Sequence, residues 1–478
     1  MRRSLVIAIV GVAVFGCGTD YVEPGDDQPA AKTTWFQDVA PIVGEHCMGC
    51  HQADGIAPFE LTTYEAAVEH GAMMVDAVDR GIMPPFDARE EADCTPRHGW
   101  QDDPRLTAEE KETIRSWVDT GFAKGTDVAI DIPDVPQLEN ISQTLTPATG
   151  YVTSGTRDEF MCFVLDPGNV TLKWITGLQV RPGNDLVVHH AVITQVEEAE
   201  GNSLIAQHGV GTAFQCDQTP GNFVMNVWTP GNQPMRTPSE LAIPLGPRNK
   251  VVMQIHYHPA GGTHTPDVTK IDLQYSSVWP RKMYFVTAIG NEVTAPNLEP
   301  GPGDAGFPRF MIPANSPDHT ERMFRDITTL GALTNVKLYS VNPHMHLVGT
   351  HINSKILRPA ARGNEPQSEC LANGGWNFDW QRTYTYDAPI DELPSIEVGD
   401  RISVTCAWNN TMDNPFVERM LHDSNLPPQP IDITLGEQTT NEMCLEIFGI
   451  AVDAPAQPLL ATDPVVLPNL RAIDMFVR

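Results

Sequence analysis

The sequence predicts a mainly β chain, two antiparallel β-sandwiches preceded by a small all-α domain, and three observations carry that expectation. Beyond about residue 145, short apolar runs such as NVTLKWITGLQV, DLVVHHAVITQV, KVVMQIHYH, NVKLYSVNPHMHL and DRISVTCAW are separated by Pro, Gly and Asn turns. Before about residue 125 the apolar spacing is helical instead. The length, 478 residues, exceeds what one compact core holds at about 100–200 residues per domain, and 41 Pro with 37 Gly supply the punctuation for many short strands.

The elements follow in chain order. Residues 1–17 read as an export signal: Arg2 and Arg3, an apolar run from Leu5 to Phe15, then Gly16 and Cys17. That run is too short to span a bilayer comfortably. Its end resembles a bacterial lipoprotein signal, with Cys17 as the lipidated residue; simple cleavage is the alternative. Residues 18–33 are acidic and unpatterned, a flexible linker. Across 34–125 Trp35, Val39, Ile42 and Val43 mark one helix face. Thr107 and Glu110 form a capping box ahead of Ile114, Trp117 and Val118, and Gly121 offers a stop. Residues 126–144, rich in Pro and Asp, form a second linker. Two sandwiches then divide the remainder at 145–282 and 283–478.

Sixty-one acidic against 31 basic side chains give a formal net charge of −30, which would repel a phosphate backbone and excludes a general nucleic-acid role. The expected location is the bacterial cell envelope, lipid-anchored at the periplasmic side or exported, with membrane contact only through the anchor. Export favours disulfides. Of nine cysteines, one is assigned to lipid and two to the motif described next, which leaves Cys94, Cys162, Cys216, Cys370, Cys406 and Cys444, an even set.

Cys47-Met48-Gly49-Cys50-His51 is a CxxCH sequence, the attachment motif for haem c, in which two thiols bind the porphyrin and the histidine binds iron. Downstream, Met83-Pro84-Pro85 resembles the segment of small cytochrome c domains that supplies the second axial ligand. Met73 and Met74 are rivals for that role, on a stretch that reads as a packed helix.

Three strand-like segments carry imidazoles: His189-His190, His256 and His344-Met345-His346. Alternation puts His344 and His346 on one strand face, as two ligands of one ion require. Adjacent His189 and His190 point oppositely on a regular strand, so joint ligation requires a bulge or a strand end. These segments, with Asn441-Glu442-Met443-Cys444, occur in the order and context of the copper type II, ascorbate-dependent monooxygenases, the family of the peptidylglycine α-hydroxylating and dopamine β-monooxygenases. The resemblance spans about residues 145–455.

That resemblance implies jelly-roll-like sandwiches and two copper ions. His189, His190 and His256 are similar to the ligands of the electron-transferring copper, with His258 as competitor for the third place. His344, His346 and Met443 are similar to those of the oxygen-binding copper, where the reaction occurs. Three imidazoles suit both copper oxidation states, whereas a thioether favours Cu(I). The implied activity is hydroxylation of a C–H bond in a small organic substrate by O2. Electrons would come through the three-histidine copper and the fused haem, from a periplasmic donor or from ascorbate. The alternative is a haem and copper electron-transfer or copper-binding protein without hydroxylase activity.

The same resemblance implies the disulfides Cys162–Cys216 and Cys406–Cys444, while Cys94 and Cys370 either bridge the helical domain to the second sandwich or stay free. Where the peptide amidators grip a carboxylate with Arg, Asn and Tyr, this chain has Asn342, Leu445 and Ile447. A neutral or aromatic small substrate in an apolar pocket is therefore expected.

Overall fold

The computed structural model describes residues 32–457, apart from positions 54, 56, 155, 156, 217, 222, 259–263, 303, 305, 306 and 439. The export signal, Cys17 and most of the first linker lie outside the described residues. Among the described residues no helix is long and apolar enough to cross a membrane.

The chain enters through a π-helical turn, Trp35–Val39, that runs into α1 (Ala40–His46). Helices α2 (Tyr64–Asp79) and α3 (Ala108–Asp119) follow. At the start of α3 the capping box forms: Thr107 Oγ1 accepts from Glu110 N at 3.3 Å, and Glu110 Oε2 accepts from Thr107 N at 2.7 Å. Gly121 adopts φ +87° just past its end. Trp35, Val39, Val43, Ile114 and Trp117 pack into a core separate from that of the β body.

Between α2 and α3 the chain leaves this helical unit. Phe86, Ala88 and Trp100 bury in the β core, with isolated bridges pairing Ala88 to Gly374, Pro96 to Cys370 and Trp100 to Tyr386. A Cys94–Cys370 disulfide fixes this arm, settling the open choice for that pair. Residues 86–101 therefore dock on the β body rather than staying inside a 34–125 helical domain. The physical reason is local: the arm has no helical period and carries two large aromatic anchors.

The strands of the first half are β1 (Gln143–Leu145), β2 (Glu159–Leu165), β3 (Lys173–Arg181), β4 (Val188–Val196), β5 (Phe214–Gln215) and β6 (Phe223–Trp228). Then come β7 (Met235–Arg236), β8 (Leu241–Leu245), β9 (Lys250–Tyr257) and β10 (Lys270–Ser276), with α4 (Glu198–His208) after β4. The second half holds β11 (Lys282–Gly290), β12 (Ser316–Asp326), β13 (Lys337–His344), β14 (Gly349–Leu357), β15 (Ser368–Gly375) and β16 (Tyr384–Thr385). Last are β17 (Arg401–Asn410), α5 (Pro415–Asp423) and β18 (Leu445–Asp453).

The fold is mainly β, built from an extended sheet in the order β1-β10-β3-β8-β11-β6-β4-β9-β2-β5 and a four-stranded sheet, β12-β17-β14-β15. Strand β18 joins the first sheet at β11 and carries β13 on its other edge. Its ladders are antiparallel except β8 with β11. The expected boundary at 282/283 falls on the first residue of β11, and this strand pairs with β6 on one side and β18 on the other. Phe163, Phe285, Trp408 and Phe448 belong to one continuous core, so the two halves share a sheet and an interior.

Candidate metal centre

Strand register builds the first histidine set. β4 and β9 are antiparallel neighbours and place His190 opposite His256, with ring centroids 4.8 Å apart. The register shifts between Val188 and His190, the bulge that joint ligation by two adjacent histidines requires. It turns His189 toward its neighbour, and the two Nδ1 atoms stand 3.2 Å apart. Imidazole nitrogens held about 2.0–2.1 Å from a tetrahedral ion are roughly 3.3 Å from each other, so this spacing fits a shared ligand position. His256 offers a third nitrogen. Its Nε2 meets Asp158 Oδ1 at 3.0 Å, while its Nδ1 is buried with no hydrogen-bond partner among the described residues. Ligand atoms of His189, His190 and His256 all lie within 4.8 Å of one another.

The competitor, His258, also meets Asp158, through Nδ1 at 2.9 Å, and Asp158, His256 and His258 could themselves group around a cation. We favour His256 with the histidine pair because its free nitrogen is the orphaned one. Phe160 stacks on the His256 ring at 4.4 Å and Phe378 stacks on His189 at 4.5 Å, which restricts both rings.

The second set sits at the end of β13. β18 runs antiparallel to it, with Asn342 opposite Ile447 and His344 opposite Leu445. His346 follows just past the strand end, and its ring lies 5.4 Å from that of His344. Met345 is fully buried in the apolar core. Met443 lies in the segment leading into β18, next to the Cys406–Cys444 disulfide that ties this segment to β17. Glu442 organises the loop: its carboxylate accepts from the backbone N of His346, Val348 and Met443 and from Trp408 Nε1, at 2.8–3.1 Å. Burial pushes its carboxyl up to about 7, opposed by those four donors.

At His256 in the first set, and at both histidines of the second, one ring nitrogen is fixed and the other is available. His344 Nδ1 meets Gln381 Oε1 at 3.0 Å, and His346 Nδ1 meets the Asn441 carbonyl at 3.1 Å, which orients each Nε2 away from those partners. Burial, then neighbouring imidazoles, lowers His189 and His190 well below the ordinary histidine range and brings His346 to about 3; burial is also the main cause that brings His344 to about 4. Neutral rings are what a metal needs. The donor chemistry therefore fits metal at both sets.

The sets are contiguous. The rings of His190 and His344 are 6.1 Å apart. A segment from Trp376 to Arg382 straps them together. Trp376 Nε1 donates to the His346 carbonyl at 2.7 Å, Phe378 stacks on His189, Thr229 Oγ1 donates to the Gln381 carbonyl at 2.7 Å, and Gln381 holds His344.

At the CxxCH motif, which begins at the end of α1, Cys47 and Cys50 are the only free cysteines among the described residues, and the other six form Cys94–Cys370, Cys162–Cys216 and Cys406–Cys444. Three disulfides fit an oxidising, exported environment. His51 Nδ1 meets the Phe59 carbonyl at 3.0 Å, which leaves Nε2 free of that partner. The donors fit a covalently held haem. Met74 is buried on α2 and Met73 exposed on it; Met83, past the helix end, is 40% exposed.

A cavity of about 190 Å³ opens beside β13 and includes Asn342 and Ile447 in its wall. Asn226, Asn232, Thr383 and Arg382 line it together with Trp228, Tyr284 and Val286, a mixed wall that holds two of the three positions from which an apolar pocket was expected but neither Leu445 nor Met443. Sequence reasoning missed Asp158, Phe378, Gln381 and Arg382, which no motif marks. Glu442 was within reach, beside the methionine of NEMC.

No family model matches this chain, and no curated protein does. Among solved structures it is similar to the major capsid protein P2 from Bacteriophage PM2 at 8% identity and TM-score 0.24, covering 65% of this chain and 97% of that one. Broad Bean Stain Virus gives 7% identity and TM-score 0.23, with 63% and 77% covered, and the PBSX exported protein XepA gives 9% and 0.17, with 68% and 99% covered. At such scores the likeness carries no argument.

Proposed function

We propose that this chain is an exported, copper-dependent monooxygenase that hydroxylates a C–H bond of a small organic substrate with O2 and carries a cytochrome c-like haem domain. The observation that carries the reading is the convergence of His189, His190 and His256 beside His344 and His346, with the buried Nδ1 of His256 left without a partner; Met443 is tied to His346 through the Glu442 carboxylate, which accepts from both backbone N atoms. The first set would hold one copper and the second set the other; copper bound there supplies one-electron redox chemistry and O2 activation. Cys47 and Cys50 would attach haem, His51 would bind its iron, and Met83 is the candidate for a further iron ligand; bound haem supplies a one-electron store.

The protein's own groups do the rest. Asp158, Gln381 and the Asn441 carbonyl hold the tautomers of His256, His344 and His346, so those ligating nitrogens need no rearrangement to receive an ion. Glu442 fixes the backbone between His346 and Met443. Phe378 and Trp376 cover the histidines and limit water at the site. The cavity along Asn342 would receive the substrate two residues from His344, about 6.6 Å along β13 at strand rise.

The test combines metal counting and O2 uptake on purified protein. Two coppers and one haem per chain, with substrate-dependent O2 consumption, are expected. Met443→Ile should keep the fold, the haem and the first copper while abolishing hydroxylation. Full activity in that variant overturns the assignment of the oxygen site. Metal and haem without any substrate-dependent uptake, across a screen of small organic substrates, would favour the electron-transfer reading.

A further inference from the structure

Arg382 is the guanidinium at the junction of all three parts of the molecule. It follows Gln381, the partner of His344, and lies over the ring of Phe86, on the arm, at 5.0 Å, and over Tyr384 at 6.0 Å. It lines both the 190 Å³ cavity and a smaller, water-sized one beside the arm. Its charge also acts on the Cys50 thiol, lowering its proton affinity against the larger effect of burial.

What this cation lacks is an anion. Among the described residues no carboxylate comes within ion-pair distance of it, and it makes no hydrogen bond. The molecule's other half-buried arginines, such as Arg97, Arg105 and Arg419, are each bonded to a carboxylate. Asp87, Asp102 and Asp103 are close enough to interact electrostatically but none pairs with it. Burial lowers its affinity for its proton, the sign of a charge held at a cost. A guanidinium fork is shaped to take a carboxylate through two parallel bonds. Two sources of carboxylate come into question: haem attached at Cys47 and Cys50 would bring propionates, and the cavity that Arg382 lines can hold a small acid.

We propose that Arg382 receives a carboxylate at the junction of the arm and the two β halves, either a propionate of the haem or the acid group of a small molecule in the cavity; only the first source rests on the haem reading above. A cavity of this volume falls below the usual range of about 300–1,000 Å³ for drug-sized ligands, so the second source is a small acid.

The test uses the full chain with haem and copper content measured first, in wild type, Arg382→Gln and Arg382→Lys. In one arm the haem is titrated potentiometrically across pH. If a propionate is the partner, Arg382→Gln lowers the midpoint potential and moves its pH-dependent step upward, and Arg382→Lys largely restores both. In the other arm benzoate and its neutral isostere benzamide are titrated calorimetrically. If the cavity takes an acid, wild type prefers benzoate at least 10-fold, the Gln variant loses the preference and Lys retains part of it. A change in either arm supports the proposal and names the source. An unchanged haem potential together with equal binding, or no binding, of benzoate and benzamide overturns it. Absence of covalent haem sinks the haem reading alone, since the calorimetric arm still decides the role of Arg382.

Discussion

The two donor sets differ in what stands behind their imidazoles. In the first, His256 is backed by the Asp158 carboxylate and all three donors are nitrogens on or beside paired strands. In the second, His344 is backed by the Gln381 amide and His346 by a backbone carbonyl, and the third candidate donor is a thioether in a loop. A carboxylate makes its imidazole a stronger donor and adds negative charge, which favours the higher metal charge; neutral partners and sulfur favour Cu(I). On the copper reading proposed above, the neighbouring sites would thereby have unlike redox preferences. On that reading the charge behind the ligands, as much as the ligands, would divide the work.

The bluntest way to break this comparison is to remove one set. His190→Ala should lower copper from two ions per chain to one and abolish turnover, while leaving a thioether-ligated copper detectable by X-ray absorption. Retention of both coppers would mean that the two clusters, 6.1 Å apart at their nearest measured rings, act as one exchangeable pool. That outcome would erase the distinction drawn above.

A smaller effect is expected behind the first set. Asp158→Asn keeps a hydrogen-bonding group of the same size but removes the charge, so copper affinity at His189, His190 and His256 should fall about 10–100-fold, with the second set unchanged. Competition against a chromophoric copper chelator measures both. Because Asp158 also holds His258, the His258→Ala variant is the control: if it alone reproduces the loss, His258 and not His256 completes the set.

Much of this was legible in the chain before the fold was seen, but unevenly. His189, His190, His256, His344, His346 and Met443 stand in short motifs, and Thr107 with Glu110 marks a helix start, because each signal spans a few residues. The backing groups carry no such signal. Asp158 acts across 98 positions on His256 and Gln381 across 37 on His344, and only sheet pairing creates those contacts. The arm from Phe86 to Trp100 escaped for the same reason: its partners, Tyr384 and Tyr386, are distant in sequence. The polar part of the cavity wall left no trace in the sequence because Asn226, Asn232 and Arg382 come from segments that no ligand motif touches.

The finest test lies behind the second set. Gln381→Ala removes the Oε1 acceptor of His344 Nδ1 and the Nε2 donor to the Phe378 carbonyl, so it frees a ring and loosens the strap. A neutral amide contributes less to ligand basicity than a carboxylate, so the loss of copper affinity at His344 should be smaller than that caused by Asp158→Asn at the first set, at the low end of about 10-fold. Gln381→Glu sharpens the point. It restores an acceptor and adds a negative charge, making the second set resemble the first, and should shift that copper toward its oxidised form in a redox titration. If Gln381→Glu leaves the balance between Cu(I) and Cu(II) untouched, the charge behind the imidazole does not set the redox preference, and the contrast between the two sets reduces to sulfur against nitrogen.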